Sequence, residues 1–129
     1  MNQNNLDNPN SGSEDLVKSF RLMWDGFPHP VLLLRKNRMI VDSNKLARDL
    51  GVPAGVKCRD ISPYPAKCKK SCLADKALAS GTTERTISRL GGKITDTYWI
   101  PLHPDHSDLY LHFVVDLPEA LIQEQTTNA

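Results

Sequence analysis

The stretch that decides the fold is PVLLLRKNRMIVDSNKLA, residues 30–47. It holds two short apolar runs, 31–34 and 39–41, separated by a polar segment that contains Lys36 and Asn37. Short apolar runs on either side of a polar turn are typical of a β-hairpin, and Asn is one of the few residues that tolerate a positive φ. We therefore predict a hairpin with Lys36 and Asn37 at its turn.

Helices are predicted on both sides of this hairpin. Ser13 precedes two acidic residues and a run of apolar residues at helical spacing, which indicates a helix that is capped by Ser13 and ends near Gly26. After the hairpin, Asp42 or Ser43 is the expected N-cap of a second helix, and Gly51 is the residue expected to close it.

The rest of the chain changes from loop and helix to strand. Residues 52–65 contain three prolines and a glycine and predict a loop, whereas residues 68–79 indicate a third helix. Three later segments are rich in Thr, Ile, Val and aromatic residues, and Gly91 and Gly92 supply a turn between the first two. A short terminal helix is predicted over 116–125. The three predicted strands span 82–90, 93–102 and 109–115.

The order of these elements predicts the α+β fold class, with a five-stranded antiparallel sheet, helices packed on one face and an N-terminal flanking helix. It resembles the PAS family, in which a hairpin is followed by an acidic residue, an Asn two positions later and then Ala. Asp42, Asn44 and Ala47 match that pattern, and the junction of helix and strand at Gly81 is also similar. The resemblance covers residues 13–117 and implies a PAS-like sensor domain.

Length and composition predict one domain. The chain has 129 residues, of which 40% are hydrophobic and 24% charged, as in an ordinary globular domain. Residues 1–12 are polar and predict a disordered tail before the domain at 13–117, and residues 118–129 are expected to form a short C-terminal helix or tail. No apolar run has the length of a membrane span, and the N-terminus lacks the pattern of a signal peptide. We therefore expect a cytoplasmic protein.

The net charge is +1, but it is unevenly distributed. All 16 Lys and Arg residues lie within 16–93, whereas 94–129 carries six acidic residues and no Lys or Arg. Because the last strands should pair with the first hairpin, we expect these charges to complement each other. The bases are spread over several elements, so we expect no nucleic-acid partner. The densest group of bases surrounds the cysteines and comprises Lys57, Arg59, Lys67, Lys69 and Lys70.

The three cysteines, Cys58, Cys68 and Cys72, have the spacing C-x9-C-x3-C. Cys68 and Cys72 are four residues apart in a predicted helix, so we expect them on one helical face, about 6 Å apart. Four interpretations remain open: buried reduced thiols, a disulfide between Cys58 and one of the pair, a zinc site with three thiolates and one His, or an iron–sulfur cluster. The last two need a fourth ligand. The candidates are His29, His103, His106 and His112.

The cysteine positions are similar to those in a subset of bacterial sensor PAS domains, which carry one Cys in the loop after the first helix and a Cys pair at the start of the long helix. The pair in that subset is C-x2-C followed by Pro, whereas here it is C-x3-C followed by Leu73. The resemblance implies a redox or metal-binding role for Cys58, Cys68 and Cys72. We favour the absence of any cofactor, with zinc or an iron–sulfur cluster as the alternative.

The resemblance also implies a cavity between the sheet and the helices that holds a small-molecule ligand. The alternative is that the same side chains only fill the core. Tyr98 and Trp99 are adjacent in a strand, so they should point to opposite faces of the sheet. The candidate pocket residues are Leu32, Leu34, Ile40, Ile87, Trp99, Leu111 and Phe113.

The sequence carries no phosphate-binding loop, no HExxH and no GxSxG motif, so we expect no enzyme. We predict a sensory or protein-interaction domain in bacterial signal transduction or transcriptional regulation that responds to a small molecule or to redox state. The expected partner is a second copy of the chain or another signalling protein, bound through the apolar face of the first helix, although that face is equally suited to its own sheet. The alternative is a small metal-binding or iron–sulfur redox protein built on the three cysteines.

Overall fold

The computed structural model describes residues 9–62, 72–90, 92–102 and 108–117, and for residues 9–14 and Leu90 it describes the backbone element alone. Four helices and five strands lie in these ranges. The helices are α1 (Pro9–Trp24), α2 (Lys45–Asp49), α3 (Cys58–Ile61) and α4 (Ala74–Ser80). The strands are β1 (Val31–Arg35), β2 (Ile40–Ser43), β3 (Glu84–Leu90), β4 (Lys93–Pro101) and β5 (Leu109–Leu117).

The strands form one antiparallel sheet in the order β2-β1-β5-β4-β3. The last strand lies at the centre: Leu111 of β5 is opposite Leu33 of β1, and Val114 of β5 is opposite Thr97 of β4. Gly92 has a φ of 79° in the turn between β3 and β4, where a side chain would be strained. The two predicted hairpins, β1–β2 and β3–β4, are therefore joined through β5 into one sheet.

The first hairpin forms where it was predicted, but its strained residue is a different one. Arg38, not Asn37, has the positive φ, at 75°. Asn37 instead accepts a hydrogen bond on its side-chain oxygen from the Met39 amide, at 3.0 Å. The Arg38 amide donates to the Arg35 carbonyl at 2.8 Å, and the Arg35 amide donates to the Met39 carbonyl at 2.9 Å. This is the pattern of a three-residue hairpin loop, in which the third residue is left-handed. The register shift between Leu33 and Leu34 lies further along the hairpin.

Both helices that flank the first hairpin have boundaries that differ from the predicted ones. Helix α1 begins at Pro9 and ends at Trp24, so Ser13 lies inside the helix and is not its N-cap. Pro suits the first turn of a helix because its missing amide has no partner there. Helix α2 is capped by Asn44, not by Asp42 or Ser43, because β2 continues through Ser43. Gly51 follows this helix with a φ of 91°, as expected of a residue that closes a helix.

The later helices also depart from the prediction. A short helix, α3, begins at Cys58 within the predicted loop. The predicted helix over 68–79 is present as α4, which begins at Ala74 and is closed by Gly81 at a φ of 71°. Cys72 therefore precedes the helix, and Cys68 lies outside the described residues. The predicted terminal helix also falls outside them, apart from its first two positions, which extend β5 to Leu117.

The sheet is covered on both faces. On the face that we call the inner face, α4 packs over a buried cluster that consists of Leu34, Ile40, Ala74, Ala77, Trp99 and Tyr110. On the opposite, outer face, α1 packs over a second cluster that consists of Phe20, Val31, Leu33, Leu111 and Phe113. Tyr98 packs against the outer cluster and Trp99 belongs to the inner one, so these neighbours point to opposite faces as predicted.

The uneven charges pair across the sheet as expected. Arg85 on β3 contacts Asp96 on β4 at 2.6 Å, Lys93 contacts Asp116 at 3.8 Å, and Arg35 contacts Asp108 at 3.5 Å. Strand β3 has only β4 as a hydrogen-bonded neighbour among the described strands. Arg85, Ile87 and Arg89 are exposed along this edge. Within the described ranges, no helix combines the length and apolar character needed to cross a membrane.

Candidate functional site

The inner face gathers a phenol and two thiols beside α4. Tyr110 of β5 is buried to 1% exposure, and Cys58 and Cys72 are half-buried and pack against the same cluster. Burial raises the pKa of the Tyr110 hydroxyl well above its ordinary range, and negative charge on Cys58 or Cys72 would raise it further. The three side chains therefore influence one another electrostatically, and the hydroxyl stays protonated.

Neither Cys58 nor Cys72 is in a disulfide bond. The third thiol, Cys68, lies outside the described residues, so its predicted place beside Cys72 on a helix stays a prediction. Among the residues that the structure does describe, no three Cys, His, Asp or Glu side chains are grouped so that they could hold a metal ion. The zinc and iron–sulfur hypotheses, which need all three cysteines, stay open.

Of the four candidate histidine ligands, two can be located. His29 stands next to Phe27 of the outer cluster, with ring centroids 5.8 Å apart, and so lies across the sheet from the thiols. His112 stacks on Trp99 of the inner cluster, with centroids 5.1 Å apart and an interplanar angle of 22°. His103 and His106 lie outside the described residues. Of the two that are placed, only His112 shares the face of the cysteines.

His112 has a defined protonation state. Its Nδ1 lies 3.0 Å from the carbonyl oxygen of Tyr98, which can only accept, so Nδ1 carries the proton. Burial lowers the pKa of His112, partly offset by this hydrogen bond, so the ring is neutral at pH 7 and Nε2 is an acceptor. No described residue donates a hydrogen bond to Nε2. The inner face thus offers an acceptor next to an aromatic surface.

The structure does not bring the seven candidate pocket residues together. Leu34, Ile40 and Trp99 belong to the inner cluster, and Leu32 packs against it. Leu111 and Phe113 instead belong to the outer cluster, and Ile87 is 48% exposed on β3. The reason is that β5 is covered on both faces. Both sets of alternate residues on this strand are large, so the apolar pattern does not fix which set points inward.

Tyr110 and His112 are the β5 residues that do face inward, and the predicted pocket residues include neither; His112 was named only as a candidate metal ligand, and Tyr110 was missed. The available signal is the alternation of these two polar aromatic side chains with Leu111 and Phe113, because two-residue spacing puts Tyr110 and His112 on one face. Their pairing partners agree, since Tyr110 lies opposite Leu34 and His112 opposite Leu32.

The two motif residues hold α1 against the sheet. Asp42 accepts two hydrogen bonds from Arg21 of α1, at 2.8 and 3.0 Å. Asn44 is fully buried. Its side-chain oxygen accepts from the amides of Val31 and Ala47, at 3.0 and 3.2 Å. Its side-chain NH2 group, which has two hydrogens, lies within hydrogen-bond distance of three carbonyl oxygens at and after the end of α1, those of Trp24, Phe27 and His29, so one N–H is shared.

Comparison with solved structures identifies the fold. The PAS domain of BvgS from Bordetella pertussis matches with a TM-score of 0.60 and 18% identity over 88% of this chain and 96% of that chain. A sensory box sensor histidine kinase from Vibrio cholerae matches with a TM-score of 0.58 and 19% identity, over 82% and 95% of the two chains. A domain of an HTR-like protein from Haloarcula marismortui matches with a TM-score of 0.57 and 21% identity, over 70% and 99%.

No family model and no curated protein sequence matches this chain. The solved structures nevertheless share its five-stranded antiparallel sheet and the helices around it. The chain therefore has the PAS fold, and the predicted fold class is confirmed.

Proposed function

We propose that this PAS-fold domain is a non-catalytic sensory domain of a signalling protein, which receives its signal on the inner face and passes it through the sheet to α1. The observation that carries the proposal is the two-sided sheet. The inner face holds the thiols, Tyr110 and His112, whereas the outer face is occupied by α1. The similarity to the Vibrio cholerae sensor histidine kinase and to the BvgS PAS domain supports a place in signalling.

A chain of aromatic contacts connects the two faces. Trp99 stacks on His112 on the inner face, and the next residue in the chain, Tyr98, stacks on Phe113 on the outer face at 4.9 Å. Phe113 in turn contacts Trp24 of α1 at 5.7 Å. A close-packed interior transmits displacements instead of absorbing them. A ligand that moves the ring of Trp99 would therefore also move the end of α1.

Helix α1 also offers a surface for a partner. Leu22 is 88% exposed and Met23 is 69% exposed, and adjacent exposed apolar side chains can be covered by a partner. We propose that a second copy of the chain covers them.

The experiment compares two single substitutions. His112→Asn changes the inner face but keeps a donor for the Tyr98 carbonyl, whereas Ile87→Ala changes an exposed residue on β3. Hydrogen exchange of the α1 amides and the dimer fraction in sedimentation are measured for both. We expect His112→Asn to change both quantities and Ile87→Ala to change neither. If the exchange of α1 is the same in both variants, the proposed relay through the sheet is wrong.

The nature of the ligand requires a separate measurement. Native mass spectrometry of the purified domain would detect a molecule retained on the inner face. A bound molecule that is lost in a Trp99→Leu variant but kept in Ile87→Ala would support a small-molecule sensor. Retention by both variants would place the molecule elsewhere.

A second candidate function is redox sensing, favoured by the packing of Cys58 and Cys72 against one cluster. In this proposal hydrogen peroxide takes two electrons and two protons from the two thiols, which leaves a Cys58–Cys72 disulfide and two molecules of water. Peptide mapping after peroxide treatment tests it, with Cys68→Ser as the matched control. The proposal expects the Cys58–Cys72 link to form in Cys68→Ser. Its absence there would contradict the proposal.

Zinc or an iron–sulfur cluster on the three cysteines stays an alternative. Metal analysis and an absorption spectrum of anaerobically purified protein distinguish it, because stoichiometric metal that is lost in Cys68→Ser would assign the cysteines to a metal site and not to a thiol switch.

A further inference from the structure

An open groove of about 520 Å³ lies at the turn of the first hairpin. It is formed by residues around this turn and at the start of two helices. Through Arg38, which interacts electrostatically with Cys72 and Tyr110, it adjoins the inner face. The residues that line it are Lys36, Asn37, Arg38, Lys57, Arg59 and Asp75.

Backbone hydrogen bonds fix the two sides of this groove. The segment 55–58 runs antiparallel to residues 38–40: the Ile40 amide donates to the Val56 carbonyl at 2.9 Å, and the Cys58 amide donates to the Arg38 carbonyl at 3.0 Å. These bonds hold Lys57 beside the hairpin turn. The cations of the groove therefore stand on a preformed backbone.

Arg38 occupies the floor of the groove in a strained backbone conformation. Its φ of 75° is in the left-handed region, and among the described residues no other side-chain-bearing residue has a positive φ. Its side chain is only 10% exposed. Strain of this kind at a non-glycine residue is maintained by the surrounding structure and is common at functional sites. The buried guanidinium is thus held in one position.

Arg38 retains donors for a ligand. Its Nη1 donates to the Lys36 carbonyl at 2.6 Å and to the Asp75 carboxylate at 3.2 Å. No described residue accepts from Nε or Nη2. Since no buried side-chain nitrogen in the described ranges lacks a hydrogen-bond partner, these two atoms reach solvent. Three N–H groups in a planar fork are therefore available.

The groove has an excess of positive charge. Asp75 is its single acidic group, and it already pairs with Arg38. Lys36, Lys57 and Arg59 form no ion pair with any other described residue, whereas Arg21, Arg35, Lys45, Arg48, Arg85 and Lys93 each pair with an aspartate. Four cations against one acid would balance an anion that carries more than one charge.

We infer that this groove binds the phosphate groups of a small phosphorylated molecule. Arg presents paired donors to the oxygens of a phosphate, and Lys adds flexible point charges around it. The volume is in the range of small-molecule sites. The groove residues include no aromatic side chain on which a base could stack, and this favours a small ligand over single-stranded nucleic acid.

The test titrates the full chain with inorganic pyrophosphate by isothermal calorimetry. We expect saturable binding that weakens as salt is added. Arg59→Gln and Arg38→Gly should each weaken it by about tenfold or more, since each removes a charged donor. Gly relieves the positive φ, so we expect Arg38→Gly to keep the fold, and circular dichroism of the variant checks this. Lys93→Gln, an exposed cation at the β3–β4 turn, is the matched control and should leave binding unchanged.

Asp75→Asn separates an effect on the groove from an effect on folding. It removes the carboxylate that competes with the ligand for Arg38, so pyrophosphate should bind several-fold more tightly, whereas a damaged fold would weaken binding. Absence of saturable binding would overturn the inference, as would equal weakening by Lys93→Gln or weaker binding by Asp75→Asn. A single-stranded oligonucleotide that binds through Arg38 and Arg59 more tightly than pyrophosphate would also overturn it, in favour of a nucleic-acid surface.

Discussion

Replacing Asn44 by alanine would remove one side chain that connects three elements of the fold. Asn44 is fully buried; its side-chain oxygen accepts two hydrogen bonds, and the two hydrogens of its NH2 group are shared among three carbonyl oxygens. The loss leaves the amide of the fully buried Val31 without its acceptor, which costs about 1 to 3 kcal/mol. It also removes the cap of α2, which costs about 1 kcal/mol. Loss of the hydrogen bonds that the NH2 group donates adds at least about 1 kcal/mol.

We therefore expect Asn44→Ala to lower the free energy of unfolding by about 3 to 5 kcal/mol, a large part of the total stability of a domain of this size. Urea unfolding followed by circular dichroism measures the change. Asn37→Ala is the matched control, since Asn37 is exposed and makes one side-chain hydrogen bond; it should cost about 1 kcal/mol or less. Equal costs for the two variants would refute the assignment of Asn44 as the residue that joins these elements.

Three further predictions concern pH and packing. The hydrogen bond from Arg48 holds the pKa of Asp25 below its ordinary value of 3.8. The ionised Asp25 therefore contributes fully to stability above pH 3.8, and this contribution is lost as the pH falls through the lowered pKa of the folded state. Asp25→Asn should flatten this loss in acid unfolding curves. Burial holds the pKa of His112 below 6.5, so the free energy of unfolding should also fall as the pH decreases below 6.5. His112→Asn should abolish this fall in urea midpoints measured from about pH 7.5 down to about pH 5. Phe113→Ala should cost about 3 to 5 kcal/mol because it opens a cavity among packed rings; Val114→Ala, on an exposed position of the same strand, should cost less than about 1 kcal/mol, and a similar cost for both would contradict the outer-face assignment.

The sheet could be predicted from the sequence because local signals agreed with it. The apolar runs around Lys36 and the glycines at the β3–β4 turn identified two hairpins without any knowledge of the fold. The residue at positive φ was not predictable in this way. Arg has no preference for that conformation, and Arg38 adopts it because it is the third residue of the hairpin loop that the Arg35–Met39 hydrogen bond closes.

The candidate site was harder to predict because it depends on long-range packing. Alternation identified β5, but only the cover on both faces decides that Tyr110 points inward and Leu111 outward. The groove brings together Arg38, Lys57 and Asp75, which are far apart in sequence. The density of bases near the cysteines indicated part of it, and the pairing of 55–58 with the hairpin supplied the rest.

The exposed edge of the sheet bears on how the domain behaves when it is concentrated. A free strand edge can add a strand from another molecule and so start open-ended aggregation. If two copies of β3 paired antiparallel about Ile87, Arg85 of each would stand opposite Arg89 of the other, and both are exposed. Charged side chains that flank an apolar residue on an edge strand are a feature by which natural sheets resist the addition of a further strand. Arg85 and Arg89 therefore limit the apolar surface of this edge to Ile87 alone.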